Sequence, residues 1–396
     1  MGAMGVCVLW LIVQVLIGYN LVLPFVLFVW WKFTPKHKII PLQNNIEIDY
    51  AIIVTAYEQT HMLHSVVASL LKLSYKKYLI YIVADKCDVS NLLFNSDKVV
   101  LLKPHTTLGS NTKSHQFAFD NFKRKHARVT IVDSDNLVDE NYLKELNVSF
   151  DTGFTAVQGL RAPKNLDTTI ACLDAARDLY YHFYDGKVLY EIGSSATLSG
   201  SGMAFESDVY QDFLNHNIIE GAGFDKVLQA WLINNNYRIA FNESAILYDE
   251  KTSKTEQLVH QRSRWINTWF KYFTLGLNIL FKGITSFNKN KFVFGIVLLR
   301  PPLFIFLLLS ILCLLINFIT GQWISVLAWV ISFLIFVVSF WISLNRSKVD
   351  SRIYKSLVNI PEFVFYQILS LLKVRKANKI SVATKHNYNR VDDTNS

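Results

Sequence analysis

Apolar side chains collect in three long runs of the chain, residues 6–31, 292–319 and 323–344. Each run is at least as long as the roughly 20 residues that a helix needs to cross a bilayer, so the pattern predicts three membrane crossings. Basic residues follow the first run and do not precede it, which is typical of an uncleaved anchor and not of a signal peptide. The short Thr320-Gly321-Gln322 turn joins the other two runs into a predicted hairpin.

Lysine and arginine residues flank the apolar runs. Lys32, Lys36 and Lys38 follow the first run, and residues 345–352 after the hairpin are basic again. Cytosolic loops of membrane proteins carry the excess of positive charge. We therefore expect an integral membrane protein of the plasma (inner) membrane, with residues 32–290 and the segment beyond 345 in the cytosol.

Between residues 46 and 248 short β-branched runs alternate with stretches of helical apolar spacing. This alternation is typical of an α/β domain with a mostly parallel sheet. The predicted strands are 51–55, 78–85, 98–103 and 128–133, and the predicted helices include 60–72 and 112–126. Ligands bind such sheets at the carboxyl ends of the strands, and the unusual polar residues of this chain fall there.

The chain changes character after residue 257. An aromatic and basic stretch over 257–290 suits helices that lie in the membrane interface. Residues 360–372 are too short for a crossing and are also predicted to be interfacial. The polar tail from Lys373 is predicted to be disordered. The predicted domains are an anchor and linker (1–45), a cytosolic α/β domain (46–256), interfacial helices (257–290), a transmembrane hairpin (291–345), and an interfacial segment with a basic cytosolic tail (346–396).

Composition supports a membrane protein. Apolar residues make up 51% of the chain and charged residues only 18%, with 28 Phe, 18 Tyr and 9 Trp, which is too apolar for a purely soluble protein of this size. The formal charge of +9 raises the question of nucleic acid, but the cations cluster beside the apolar runs, so we expect a membrane partner and no nucleic acid. The four cysteines have no metal-like spacing, and we expect neither disulfides nor zinc.

Carboxylates follow two of the predicted strands. The strand 128–133 ends in Asp133-Ser134-Asp135-Asn136, the strand 78–85 ends in Asp85 with Asp88 close behind, and the first strand runs into Thr55-Ala56-Tyr57-Glu58-Gln59. Paired carboxylates at a sheet edge suit a divalent cation held against a diphosphate. A D-x-D pair alone is weak evidence, because turn carboxylates also cap helices.

A family resemblance emerges when these segments are read together. The chain contains, in this order, VADKCD, VDSDNLVDENYL, LSGSGMAF, LYDEKTSKTEQ and QRSRW. Over residues 47–282 it resembles the family 2 glycosyltransferases, and within them the membrane-bound branch of cellulose, chitin, hyaluronan and poly-N-acetylglucosamine synthases. The Q-x-x-R-W motif of that branch stands here as Gln261-Arg262-Ser263-Arg264-Trp265. The resemblance implies a nucleotide-sugar-binding GT-A-like fold with a cytosolic catalytic domain.

The resemblance also implies roles for individual residues. The expected nucleotide contacts are Ala56, Tyr57 and Gln59 in the first loop, Asp85 at the base, and Lys113 in the third loop. Asp133 and Asp135 match the D-x-D that binds Mg²⁺ or Mn²⁺ and the donor phosphates. The expected acceptor and diphosphate contacts are Ser199 and Gly200 of the 199–202 loop, together with Gln261, Arg262, Arg264 and Trp265.

Asp225 is the predicted general base, since an inverting displacement needs a carboxylate to take the proton of the acceptor hydroxyl. It precedes the helical run KVLQAWL, as the Thr-Glu-Asp of the family precedes a helix, although here the three residues are Gly223-Phe224-Asp225. The other interpretation is that Asp225 caps that helix.

The sequence predicts an inverting transferase that moves a sugar from a UDP-sugar to a glycan or lipid-linked acceptor. Processive synthesis and single addition both stay open, as do a homo-oligomer and a partner membrane subunit. The alternative is a non-catalytic subunit of a polysaccharide synthesis complex that binds a nucleotide-sugar or glycan, for which the altered first loop and the missing Thr-Glu before Asp225 are the evidence.

Overall fold

A computed structural model describes residues 3–35, 47–347 and 349–373. The linker 36–46 and the predicted disordered tail beyond 373 lie outside the described residues. The strands are β1 (Tyr50–Tyr57), β2 (Tyr78–Asp85), β3 (Val99–Leu102), β4 (Arg128–Asp133), β5 (Leu137–Val138), β6 (Ala156–Pro163), β7 (Met203–Glu206) and β8 (Ile239–Asp249). The helices are α1 (Ala3–Phe33), α2 (Leu63–Leu71), α3 (Asn111–Asp120), α4 (Tyr142–Asp151), α5 (Thr169–Tyr181), α6 (Leu189–Glu191), α7 (Ser207–His216), α8 (Phe224–Asn234), α9 (Thr255–Thr285), α10 (Lys289–Leu298), α11 (Leu303–Ile319), α12 (Trp323–Arg346), α13 (Ser351–Ser356) and α14 (Ile360–Lys373), with a π-helix at His182–Val188 and a 3-10 turn at Leu357–Asn359.

The strands form one mixed sheet in the order β3-β2-β1-β4-β7-β6-β8-β5. The four predicted strands are confirmed as β1 to β4 and pair in parallel, while β7 runs antiparallel to both β4 and β6. Helices cover both faces, which explains why β1 and β2 are nearly continuous apolar runs. The GT-A-like α/β fold expected from the sequence is therefore confirmed.

The register of the central strands brings three loops to one edge of the sheet. Tyr57 at the end of β1 pairs with Asp85 at the end of β2, and Thr55 pairs with Asp133 at the end of β4. The polar residues that follow these strands must therefore converge.

The other half of the sheet ends at the same edge. Strands β6 and β8 run parallel, so that Pro163 is level with Asp249, and a bulge follows Gly159. A Cβ at Gly159 would lie 2.5 Å from the carbonyl oxygen of Ala245, so the close approach of the two strands requires a glycine.

Two described helices are long and apolar enough to cross a membrane, residues 5–33 of α1 and the whole of α12. The predicted crossing over 292–319 is not one helix, because α10 and α11 meet at an angle of 73°. Pro301 and Pro302 end α10, since proline removes the amide donor and disfavours helix in the residue before it. Arg300 at this break is buried and donates to Asp185 (3.0 Å) and to the Tyr180 hydroxyl (2.7 Å).

Helices α1 and α12 run in the same direction, since Gly18 lies against Trp329 (3.4 Å from an added Cβ) and Trp31 lies near Arg346. The C-terminal ends of α1 and α12 thus both face the sheet domain, as the charge pattern predicts. Gln14 accepts hydrogen bonds from Asn317 of α11 (2.6 Å) and from the indole of Trp329 (2.8 Å). One side chain therefore joins all three apolar helices.

Replacing Gln14 should loosen this three-helix contact. Gln14→Leu removes two interhelical hydrogen bonds, each worth about 0.6 kcal/mol in a membrane, and should lower the melting temperature in detergent by roughly 2–4 °C. Ser332→Ala is the control, because the Ser332 hydroxyl bonds to the Ala328 carbonyl within its own helix. An equal shift in both variants would contradict the proposed bridge.

Candidate active site

A cleft of about 190 Å³ lies at the carboxyl edge of the sheet. Six of the predicted site residues line it together: Ala56, Tyr57, Gln59, Asp85, Asp133 and Asp135. They come from the ends of β1, β2 and β4, as the strand register requires. Residues of the loop before α3, including Gly109, Ser110 and Asn111, close the other side.

The D-x-D carboxylates belong to a turn that hydrogen bonds hold in place. The Asn136 amide donates to the Asp133 carbonyl (3.1 Å), and Ser201 both accepts from the Asp133 amide (3.1 Å) and donates to the Asn136 side chain (2.6 Å). The ammonium of Lys164 donates to the Asp135 carbonyl oxygen (3.2 Å). The turn is therefore held rigidly while its two carboxylates border the cleft.

Burial, together with the neighbouring carboxylate of Asp135, raises the pKa of Asp133 to about 7, although Arg161 acts in the opposite direction. Two carboxylates that repel each other in this way offer hard oxygen ligands that suit Mg²⁺ or Mn²⁺. Among the described residues no three His, Cys, Asp or Glu side chains converge as a metal site. A cation here would complete its shell with phosphate oxygens and water, which fits a site that binds metal together with a nucleotide.

Asp85 closes the end of the cleft beside β2 by holding a loop. Its two carboxylate oxygens accept the backbone amides of Leu108 (2.9 Å) and Gly109 (2.8 Å), and the side chain is buried. A carboxylate has about four lone-pair positions, so each oxygen keeps one for a ligand. Gly109 has φ +60°, and the turn it makes leads into Ser110, which caps α3.

Lys113 lies outside this lining. Its ammonium points to Glu220 (3.3 Å), and both side chains are exposed. The bond ties the loop before α3 to the loop before α8, next to two buried contacts in which Ser110 and Thr112 bond to Ile219. A nucleotide contact of Lys113 stays a prediction.

Asp225 lies in the first turn of α8 and is not its cap. The N-cap position belongs to Gly223 at φ +100°, where a Cβ would lie 2.6 Å from both Thr268 and Tyr272 of α9. The Asp225 carboxylate is one of the charges that raise the pKa of Asp133, so it lies on the same side of the molecule as the D-x-D pair. Its ammonium neighbour is Lys226, at 3.5 Å.

The predicted acceptor loop borders the D-x-D turn. The Ser199 amide donates to the Gln158 side chain (3.0 Å), and its carbonyl accepts from Arg161 (2.6 Å). Gly200 follows with φ +86°. The loop whose Ser201 bonds to the Asp133 amide is thus the loop that the sequence analysis predicted to contact the acceptor.

Beneath the cleft runs a network of buried ion pairs. Asp249 at the end of β8 accepts from Asn136 (3.2 Å), Arg161 (2.7 Å) and Lys251 (2.8 Å), and Lys251 continues to Asp178 of α5 (2.5 Å). Burial would raise the pKa of Asp249, but Arg161 and Lys251 outweigh it and hold that pKa well below its usual range. Asp249 is therefore a fixed anion and not a proton acceptor.

The Q-x-x-R-W motif continues this network on α9. Arg262 is buried and paired with Asp174, which also accepts from Arg177 (3.1 Å). The indole of Trp265 lies under the Arg262 (4.0 Å) and Arg177 (4.4 Å) guanidinium groups and is 40% exposed. Arg262 thus holds α9 against α5 and fixes the indole from within.

The two remaining motif residues are placed differently. Gln261 accepts from the Thr252 hydroxyl (3.2 Å), which fixes the chain where it enters α9. Burial lowers the pKa of Arg264. Substrate contacts of all four motif residues stay predictions.

Comparison with known proteins identifies the family. Residues 48–268 match the family model described as glycosyltransferase like family 2. The chain belongs to this glycosyltransferase family. A comparison with curated protein sequences finds no match.

Solved structures similar to this family 2 glycosyltransferase include the mannosyltransferase PcManGT from Pyrobaculum calidifontis in complex with GDP-Man and Mn²⁺, at 11% identity and a TM-score of 0.53, over 92% of this chain and 99% of that one. Another is S. aureus TarS 1-349 in complex with UDP-GlcNAc, at 15% identity and a TM-score of 0.39, over 59% of this chain and 67% of that one. The similarity to PcManGT confirms the fold over nearly the whole length of this chain.

Sequence reasoning missed the buried network of this glycosyltransferase. Asp174, Arg177 and Asp178 share one face of α5 at helical i, i+3 and i+4 spacing, which is a readable signal. Arg161 gave no comparable signal, because its partner Asp249 is distant in sequence and meets it only through the pairing of β6 with β8. Lys251 follows Asp249 by two residues, but its bond to Asp178 of α5 depends on the tertiary fold.

Removing one cation from the network should destabilise the glycosyltransferase strongly. Lys251→Met leaves Asp178 and Asp249 short of a partner in the interior, at a cost of about 3–5 kcal/mol, and should lower the melting temperature by roughly 10 °C. Lys187→Met is the matched control, since Lys187 pairs with Glu243 (2.6 Å) at the surface. Its loss should lower the melting temperature by at most about 3 °C. Similar shifts in the two variants would contradict the importance of the buried network.

Proposed function

We propose that the protein is an inverting glycosyltransferase that uses a UDP-sugar and a divalent cation at the cleft between β1, β2 and β4. The observation that carries this proposal is the convergence of the nucleotide-loop residues and the D-x-D pair in one cleft, with Asp225 close enough to shift the pKa of Asp133. A purely structural turn would not need two repelling carboxylates at an open edge.

The nucleotide would lie along the ends of β1 and β2. Tyr57 and Gln59 line the cleft beside Asp85, whose free lone pairs suit an N–H donor of a base such as uracil. The family resemblance is what favours UDP. The diphosphate would then point toward Asp133 and Asp135.

The D-x-D residues Asp133 and Asp135 would hold Mg²⁺ or Mn²⁺ against the donor phosphates. The cation would neutralise charge on the leaving diphosphate. The fixed turn around Ser201 and Lys164 supports this, because it keeps both carboxylates at the cleft edge without rearrangement.

Asp225 would take the proton of the acceptor hydroxyl. Its position in the first turn of α8, after the N-cap residue Gly223 that packs against α9, supports a carboxylate placed for chemistry and not for capping. The acceptor would enter past the 199–202 loop, with the exposed part of the Trp265 indole as a surface for a sugar ring.

The membrane helices support transfer at a membrane surface. Basic residues Lys32 and Arg346 end the parallel helices α1 and α12 on the side of the sheet domain, which favours a cytosolic catalytic domain. A glycan or a lipid-linked acceptor would both be within reach there. Processive synthesis would require an acceptor channel, which these helices could build with a second copy or a partner subunit.

Asp225→Asn should slow transfer strongly while leaving the fold intact. Asparagine is nearly isosteric but cannot accept a proton, so sugar transfer should fall by about 10²–10⁴-fold while nucleotide affinity stays within a few-fold. The loss of an acidic residue from the first helical turn should cost only about 0.3–1 kcal/mol of stability. Nucleotide release and product mass measure transfer, and calorimetry measures affinity.

Glu220→Gln is the control for that variant. Glu220 is an exposed carboxylate of the loop that precedes α8, and its bond to Lys113 is the only change expected. Near-normal transfer by a well-folded Asp225→Asn protein would remove Asp225 from the mechanism.

A further inference from the structure

A second cavity, of about 970 Å³, lies between the sheet domain and the membrane helices. Trp31 and Thr34 at the end of α1, Arg346 at the end of α12 and Lys289 at the start of α10 form one side of it. The cavity shares no lining residue with the cleft that holds Asp133. Its volume is at the upper end of the about 300–1,000 Å³ that small-molecule sites occupy.

Most of the charged groups in its wall are already engaged. Lys187 pairs with Glu243 (2.6 Å), and Glu191 accepts the indole N–H of Trp31 (2.5 Å). The guanidinium of Arg238 donates to backbone carbonyl oxygens, including that of Ser194 (2.8 Å). The acidic side chains of the cavity are thus committed to partners inside the protein.

Two cations at the mouth are not engaged in this way. Among the described residues, neither Lys289 nor Arg346 has a carboxylate within ion-pair distance, and both are exposed. The Lys289 ammonium lies over the Trp30 ring (4.6 Å), and the Arg346 guanidinium lies near the Trp31 ring (5.8 Å). The mouth therefore offers two positive charges framed by indoles, the side chains that favour the membrane–water interface.

Part of the cavity wall is apolar. Phe154, Leu160, Phe183 and Phe241 line it, and the His182 imidazole is roughly parallel to the Phe241 ring. An occupant that satisfied both regions would carry a negative charge at the mouth and an apolar part against this portion of the wall. Such an occupant is an anionic amphiphile.

We propose that this cavity binds the phosphate head group of an anionic phospholipid from the surrounding leaflet, with Lys289 and Arg346 as the phosphate ligands. The mouth lies at the sheet-domain ends of α1 and α12, the level at which lipid head groups meet the protein. Arginine and lysine are the side chains that bind phosphate best, and the anionic leaflet attracts such basic sites. The site is separate from sugar transfer and does not depend on it.

The test is native mass spectrometry of the full chain purified in detergent, with phosphatidylglycerol or phosphatidylcholine added in turn. Phosphatidylglycerol should be retained at one molecule per chain. Phosphatidylcholine should bind at least about tenfold more weakly, because it carries no net negative charge for the two cations to attract. Inorganic phosphate added at millimolar concentration should not displace the lipid, since it cannot use the apolar wall.

Single substitutions locate the site. Lys289→Gln and Arg346→Gln should each weaken retention of phosphatidylglycerol by about tenfold, because each removes a charge-assisted contact to the phosphate. Lys32→Gln is the matched control, since Lys32 ends the same helix as Trp31, is exposed, and does not line the cavity. Thermal unfolding without added lipid checks that each variant is folded.

Three outcomes would overturn the proposal. Equal retention of the two lipids, or retention of neither, would show that the cavity does not select an anionic lipid. An equal loss in Lys32→Gln would show that general surface charge attracts the lipid. Displacement by inorganic phosphate would assign the cations to a soluble anion.

Discussion

The buried anion of Asp249 is the constraint on which the rest of the site depends. An isolated carboxylate in the interior is very unfavourable, so its oxygens must be met by Arg161, Lys251 and Asn136, and each of these comes from a different part of the chain. Satisfying one charge thereby fixes β6, β8 and the turn after β4 relative to one another. Through Asp178 the same requirement extends to α5 and from there to Arg262, which lies between Gln261 and Arg264 of the Q-x-x-R-W motif.

This network explains how a cleft for polar ligands can be rigid beside a membrane. The sheet edge that carries Asp133 and Asp135 rests on ion pairs that need no ligand to stay in place, and electrostatic catalysis requires preorganisation of this kind. The membrane helices attach by a similar device, since Arg300 at the broken helix α10–α11 bonds to Asp185 of the π-helix. The sheet domain and the apolar helices are therefore joined by a buried charge pair as well as by hydrophobic packing.

Sequence patterns predicted the elements better than the contacts between them. Strands β1 to β4 follow from β-branched runs, and the convergence of Tyr57, Asp85 and Asp133 follows from parallel pairing. The break at Pro301 was overlooked because run length alone was counted across it. Arg262 could not be assigned to the interior, since its partner Asp174 lies 88 residues away and only the tertiary fold brings the two together.

The central claim is that the cleft at Asp133 and Asp135 transfers sugar and does not only bind nucleotide. The most direct test is release of nucleoside diphosphate by the purified full chain in detergent, incubated with a panel of UDP-sugars and GDP-sugars and candidate acceptors, with Mn²⁺ or with a chelator. The account predicts UDP release from one or more UDP-sugars, dependent on both acceptor and cation, with a product heavier by one or more sugar residues. Tight nucleotide-sugar binding without release from any donor would contradict it and favour a non-catalytic subunit, and full release in chelator would contradict the role of the two carboxylates.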